Sequence, residues 1–191
     1  TINPIFATSD TDRDLARLMF AGLFTYSSDG VLEPDLALRY EMSQDGKIYT
    51  VTLKENLVWH DHTPLDADDI VFTVKMIQNP RAQSALRTNW QGVNVEKIDS
   101  ITVRFTLRTP YVPFIENLTV GILPRHLWED VDPDHMIRHE LNVKPVGAGP
   151  YAFASLKQAK DGSVIRYELA RASSYHREGP YLKKIIFLFF K

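Results

Sequence analysis

The 191-residue chain contains no cysteine. That excludes disulfide cross-links, thiol catalysis and cysteine-ligated zinc, and it leaves the redox compartment undetermined. Long hydrophobic runs are also missing: nothing approaches the ~18 consecutive apolar residues that span a bilayer, and no charged-then-apolar leader opens the chain. Because it opens at Thr1 rather than at methionine, the chain is expected to have lost any leader it had. Neither sign of charge is in excess. With 22 basic against 24 acidic residues the net charge is −2, which offers nothing to a phosphate backbone or an anionic membrane surface, and nucleic-acid binding is disfavoured.

What is present is a folded, mixed α and β chain. Hydrophobic residues make up 44% and charged residues 24%, too apolar for a disordered segment. Ser9 or Thr11 is positioned to cap a helix over 12–21, with Asp12 and Asp14 in its first turn, Leu15, Leu18 and Met19 as its apolar stripe and Gly22 as its C-cap. Turns at 27–30 and 43–46 precede a strand over 48–53 whose Tyr49, Val51 and Leu53 share a face. Ile70, Val71, Val74 and Ile77 recur at helical spacing until Asn79 and Pro80 stop them. Alternation predicts a strand over 101–107 with Ile101, Val103, Phe105 and Leu107 inward, a short helix near 124–128, and strands at 151–156 and 164–169. The continuous apolar run at 185–190 predicts a last strand buried on both faces. A chain halting one residue later is expected to be a fragment whose covering part is missing.

One stretch concentrates the chemistry: Trp59-His60-Asp61-His62-Thr63-Pro64-Leu65-Asp66-Ala67-Asp68-Asp69. His60 and His62 fall on one face of an extended segment, where they could share a zinc with Asp61 or Asp66 and serve a metal-dependent hydrolase. The competing reading makes Asp66 a helix N-cap, Asp69 its N3 partner, and Asp68 and Asp69 first-turn charges on the helix dipole. A second pair, His135 and His139, has the i, i+4 spacing of a helical metal site with Asp134 and Glu140 nearby. Met136 stands where a metalloprotease motif has Glu, so a solvated helix face accounts for it. No Gly-x-Ser-x-Gly elbow occurs, and Gly147-Ala148-Gly149-Pro150 is too short for a P-loop. Trp90, in the polar loop 86–92, either packs or faces a ligand.

The order of the turns carries more than any single site. Pro34 to Ala37, then Ser43-Gln44-Asp45-Gly46-Lys47-Ile48-Tyr49-Thr50-Val51-Thr52-Leu53-Lys54, then Trp59 to Ile70, resembles the P-x-L-A, S-x-D-G-x-x-Y-x-F/V-x-L-R/K and F/W-x-D-G-x-P-L/V-T-A-x-D-V pattern of the extracytoplasmic solute-binding proteins of peptide and nickel ABC importers. Ile2-Asn3-Pro4, Phe20-Ala21-Gly22-Leu23, Val146-Gly147-Ala148-Gly149-Pro150-Tyr151 and Ser174-Tyr175 resemble further elements of that family, so the likeness covers essentially the whole chain. His62 departs from the pattern: the family usually has Gly there, which calls for positive φ, a geometry histidine tolerates.

The resemblance implies a periplasmic-binding-protein-like lobe, a mixed sheet with flanking helices. Residues 1–32 and 145–191 would form the ligand-binding lobe, 33–144 an inserted α/β subdomain, and the second lobe would be absent. It implies a periplasmic or cell-surface lipoprotein that captures peptides or another small solute, without catalysis or cofactor, for ABC permease subunits. Membrane contact would come only through the permease or a lipid anchor. Ligand contacts then fall, by position, on Phe6, Ala7, Thr8, Ser9, Asp10, Asn89 and Trp90, with Gly147 and Gly149 as a cleft wall. The segment 59–69 becomes a structural turn feeding a helix.

Overall fold

Residues 1–190 are described by a computed structural model. Helix α1 (Asp10–Met19) starts after Ser9, whose hydroxyl accepts the Asp12 N–H at 3.1 Å, and it buries Leu15, Ala16 and Met19. Phe20 ends it in extended geometry, not Gly22. Gly22 serves a close approach instead: a Cβ there would lie 2.7 Å from the Thr119 carbonyl oxygen.

Strands β1 (Phe24–Tyr26) and β2 (Leu32–Pro34) pair antiparallel around the expected turn, where Gly30 takes φ 75. The boundary expected at 32/33 therefore falls inside β2. A four-stranded antiparallel sheet follows, in the order β3-β4-β6-β5, from β3 (Ala37–Met42), β4 (Ile48–Leu53), β5 (Val93–Asp99) and β6 (Thr102–Leu107). The alternation read from sequence holds: Tyr49 lies opposite Phe105 and Val51 opposite Val103, all buried. Ile101 stands just outside the strand. Sequence periodicity missed β5, because only Val93 and Val95 are buried and the charged rest of it is strand by virtue of pairing with β6. Helix α2 (Ala67–Gln78) lies against β5 and β6 and buries Ile70, Thr73, Val74 and Ile77.

The short helices α3 (Phe114–Asn117) and α4 (Arg125–Trp128), with 3-10 turns, occupy the proline-rich stretch. A third antiparallel sheet comprises β7 (Tyr151–Gln158), β8 (Val164–Arg171) and β9 (Lys184–Leu188). One apolar cluster runs through the whole chain, from Ile5 and Met19 through Leu36, Tyr49 and Ile70 to Tyr151 and Leu169.

Within this chain the last strand is packed on one face and open on the other. Ile185 and Phe187 pack inward opposite Leu169 and Tyr167, while Ile186 is 43% and Leu188 57% exposed. On that outer face their neighbour is Glu168, which binds Arg166 at 2.7 Å and Lys184 at 2.5 Å, so polar pairing replaces an apolar layer there.

Candidate functional site

The histidine- and aspartate-rich stretch is a turn and a helix cap. Trp59 N–H donates to the Thr63 carbonyl and His62 N–H to the Trp59 carbonyl, each at 2.9 Å, and His62 takes φ 68, the left-handed geometry expected of it. Asp66 caps α2, accepting the Asp68 N–H at 2.8 Å, while Asp69 reaches back to accept the Asp66 N–H at 3.0 Å, a complete capping box. Asp69 also accepts the Arg125 N–H at 2.8 Å, holding α4 against the start of α2. Burial raises the Asp69 carboxyl to about 6, against the pull of these two hydrogen bonds. Asp61 pairs with His126 at 2.8 Å, and that contact and its hydrogen bonds with Thr63 outweigh burial to lower its pKa.

His60 has a different task. Its Nδ1 accepts the Gly147 N–H at 3.2 Å, so Nε2 carries the proton and donates to the Gly149 carbonyl at 2.9 Å. Its own N–H donates to the Gly147 carbonyl at 2.8 Å. Burial lowers its pKa, favouring the neutral ring this arrangement needs. The zinc reading fails on these assignments: His60, Asp61 and Asp66 each hold backbone or a side chain elsewhere. Among the described residues no group of three His, Cys, Asp or Glu side chains could hold a metal ion. The i, i+4 reading of His135 and His139 fails too. They lie on a 3-10 turn, Pro133–Arg138, with His139 as its cap and its ring 5.4 Å from that of Trp128.

The residues singled out by the resemblance divide into two groups. Phe6 is buried and Ala7 half-buried, anchoring a segment whose next residues, Thr8, Ser9 and Asp10, are exposed at the N-terminal end of α1. Arg13 organises this end, donating to the Thr8 carbonyl at 2.6 Å and pairing with Asp10 at 2.5 Å. The loop carrying Asn89 is drawn to it, because Ser84 donates its hydroxyl to the Ile5 carbonyl at 2.6 Å. Asn89 is exposed, and its carbonyl accepts from Asn117 at 3.3 Å. Trp90 is corrected: its indole is 2% exposed and packs on Phe105 and Phe114, with ring centroids 6.2 and 5.8 Å away.

Gly147 and Gly149 lie at the other end of α1, and the helix's 10 residues put about 15 Å between the two ends. Both are buried against Met19, whose carbonyl accepts the Gly149 N–H at 2.9 Å. A Cβ on Gly147 would fall 1.9 Å from that carbonyl oxygen. These glycines are a packing seam tied by His60.

Three long-range polar contacts had no signal in the sequence. The ring of His176 meets Asp35 at 2.8 Å with both side chains 8% exposed, and Arg177 pairs with Glu33 at 2.6 Å. Asn3 donates to Asn142 at 2.9 Å, fully buried. Their partners are more than a hundred residues apart in sequence, where local patterns carry no information.

A family model for bacterial extracellular solute-binding proteins, family 5, matches residues 31–191. The chain belongs to that family. The dipeptide-binding protein of Escherichia coli K12 is 31% identical over 87% of this chain and 35% of its own length. The nickel-binding periplasmic protein of the same strain is 29% identical over 98% and 33%. Among solved structures, the oligopeptide-binding protein AppA from Bacillus subtilis in complex with a nonapeptide superposes with a TM-score of 0.89 at 26% identity, covering 98% of this chain and 37% of that one. NikZ from Campylobacter jejuni, in complex with Ni(L-His), gives 0.87 at 29% identity over 99% and 36%. The chain thus spans about a third of the length of the family 5 proteins it matches, and its fold is that of periplasmic binding proteins.

Proposed function

We propose that the protein carrying this chain is the substrate-binding component of an ABC importer, capturing peptides or a related small solute outside the cytoplasmic membrane and passing them to permease subunits. The match to the family 5 model over residues 31–191 carries this reading. Thr8, Ser9, Asp10 and Asn89 are the proposed ligand contacts, offering hydroxyl, carboxylate and carboxamide groups at one exposed edge. Phe6, Ala7 and Trp90 hold that edge in place from the core side, and Gly147 and Gly149 hold the far end of α1. These are hydrogen-bonding groups suited to an extended peptide main chain. They include no nucleophile paired with a base, so the proposed role is capture without catalysis and without a cofactor.

In this reading residues 1–32 and 145–191 belong to one lobe of a two-lobed clamp and 33–144 is an inserted subdomain. Attachment to the membrane is through the permease or a lipid anchor. Native mass spectrometry of the full-length protein, purified from its extracytoplasmic compartment, tests it. A co-purified peptide or small solute that exchanges with added peptide is expected; a protein that retains nothing and gives no thermal shift across a peptide library overturns it.

A further inference from the structure

A solvent-open groove with about 590 Å³ of space lies between the end of α2, the 87–90 turn and the β5–β6 pair. Its lining includes two arginines, Arg87 and Arg108, and no acidic residue. Neither has a carboxylate partner among the described residues. Six other arginines pair with carboxylates, among them Arg81 with Asp132 and Asp134, Arg125 with Glu129, and Arg177 with Glu33. Arg17, Arg39, Arg138 and Arg171 also lack such a partner among the described residues, and what distinguishes Arg87 and Arg108 is that they line one shared space.

The walls are built rather than loose. The Gln78 side-chain amide donates to the Trp90 carbonyl at 2.9 Å and the Val93 carbonyl at 2.7 Å, tying the turn to the start of β5. Arg87 donates through Nε to the Gln78 backbone carbonyl at 3.1 Å, which orients its guanidinium and leaves the terminal nitrogens for another acceptor. Capping that helix end accounts for one donor of Arg87 and for nothing about Arg108. Arg108 lies across Gly92, where φ is 79 and a Cβ would sit 3.0 Å from its Cδ and 3.2 Å from its Nε. The glycine therefore both makes the turn and leaves room for the arginine stem. Gln91, Asn94 and Thr106 add side-chain hydrogen-bonding groups around the same space.

We propose that this groove is a binding site for small oxyanions, a carboxylate or a phosphate, held by Arg87 and Arg108. Planar guanidinium groups match such anions through paired N–H donors. The site shares none of the ligand contacts proposed above, Trp90 being a packing residue of its wall, and it does not rest on the import reading.

Isothermal titration of the purified protein with inorganic phosphate and with citrate, at ionic strength held constant with sodium chloride, tests this. Saturable binding of at least one anion is expected, weakened by about tenfold or more in Arg108→Gln, the loss of one charge-assisted contact. Because Arg108 is exposed, that variant should melt with the parent. A response to phosphate alone assigns phosphate, and one to citrate alone assigns carboxylate. Arg87→Lys keeps the charge but removes the fork, and should weaken binding without unfolding α2. No heat with either anion, or affinity unchanged in Arg108→Gln, overturns the proposal.

Discussion

The four-stranded sheet and the three-stranded sheet are built from similar apolar strands and end in different environments. In β4 and β6 every second side chain is buried, with Val51, Leu53, Val103 and Phe105 fully so, because α2 and α3 close over them. In β9 an equally apolar sequence leaves Ile186 and Leu188 exposed, beside a Glu168 held by Arg166 and Lys184. Apolar content alone does not decide burial; a second layer does. Between the two sheets runs the seam where His60 and the end of α1 grip the 147–149 glycines.

The contrast can be broken most severely from its buried side. Phe105→Ala, which empties the space between Trp90 and Phe114, should cost about 3–5 kcal/mol in denaturant unfolding. Gly147→Ala drives a methyl group into the Met19 carbonyl and should cost about 3 kcal/mol, with the two sheets losing their cooperative melt.

His60→Phe removes two ring hydrogen bonds from the seam, for a loss of about 1–3 kcal/mol. It should also change the pH profile. Burial holds the folded His60 below the ordinary imidazole value of 6.5, so its contribution is present above that value and is lost as pH falls through the folded one. The variant's stability should therefore fall less steeply on acidification below 6.5 than the parent's. Asp69 works in the opposite sense: its folded value of about 6 lies above 3.8, so its contribution is present below 3.8 and lost as pH rises through about 6. Asp69→Asn should remove that component from the stability–pH curve, read by thermal melts across the window. Leu188→Thr, on the open face, should shift unfolding by no more than about 0.5 kcal/mol. A large effect there would mean that this face is covered in solution.

Much of the fold was legible residue by residue. The Asp66 cap with Asp69 at its third position, the Asn79 stop and the alternation in β4 and β6 are local patterns with periods of two and 3.6, and each appears where it was expected. β5 was invisible because its strand state is lent by β6. Gly22 and the 147–149 glycines could be marked as special, but not explained, since the atoms they make way for belong to Thr119 and Met19. Trp90 read as a loop tryptophan because the aromatic partners that bury it come from β6 and α3.

The amino-acid order by itself determined the helix N-caps at Ser9 and Asp66, the turns around Gly30 and His62, the inward faces of β4 and β6, and the family, since each depends on neighbours within a few residues or on an ordered series of such motifs. The tertiary structure alone decided that His60 is a tether rather than a ligand and that Asp35 would meet His176. It also decided that the final strand keeps one face open and that Arg87 and Arg108 line the same groove. Those outcomes depend on which distant groups arrive within hydrogen-bonding or packing reach, and chain folding brings them there from positions that no local pattern connects.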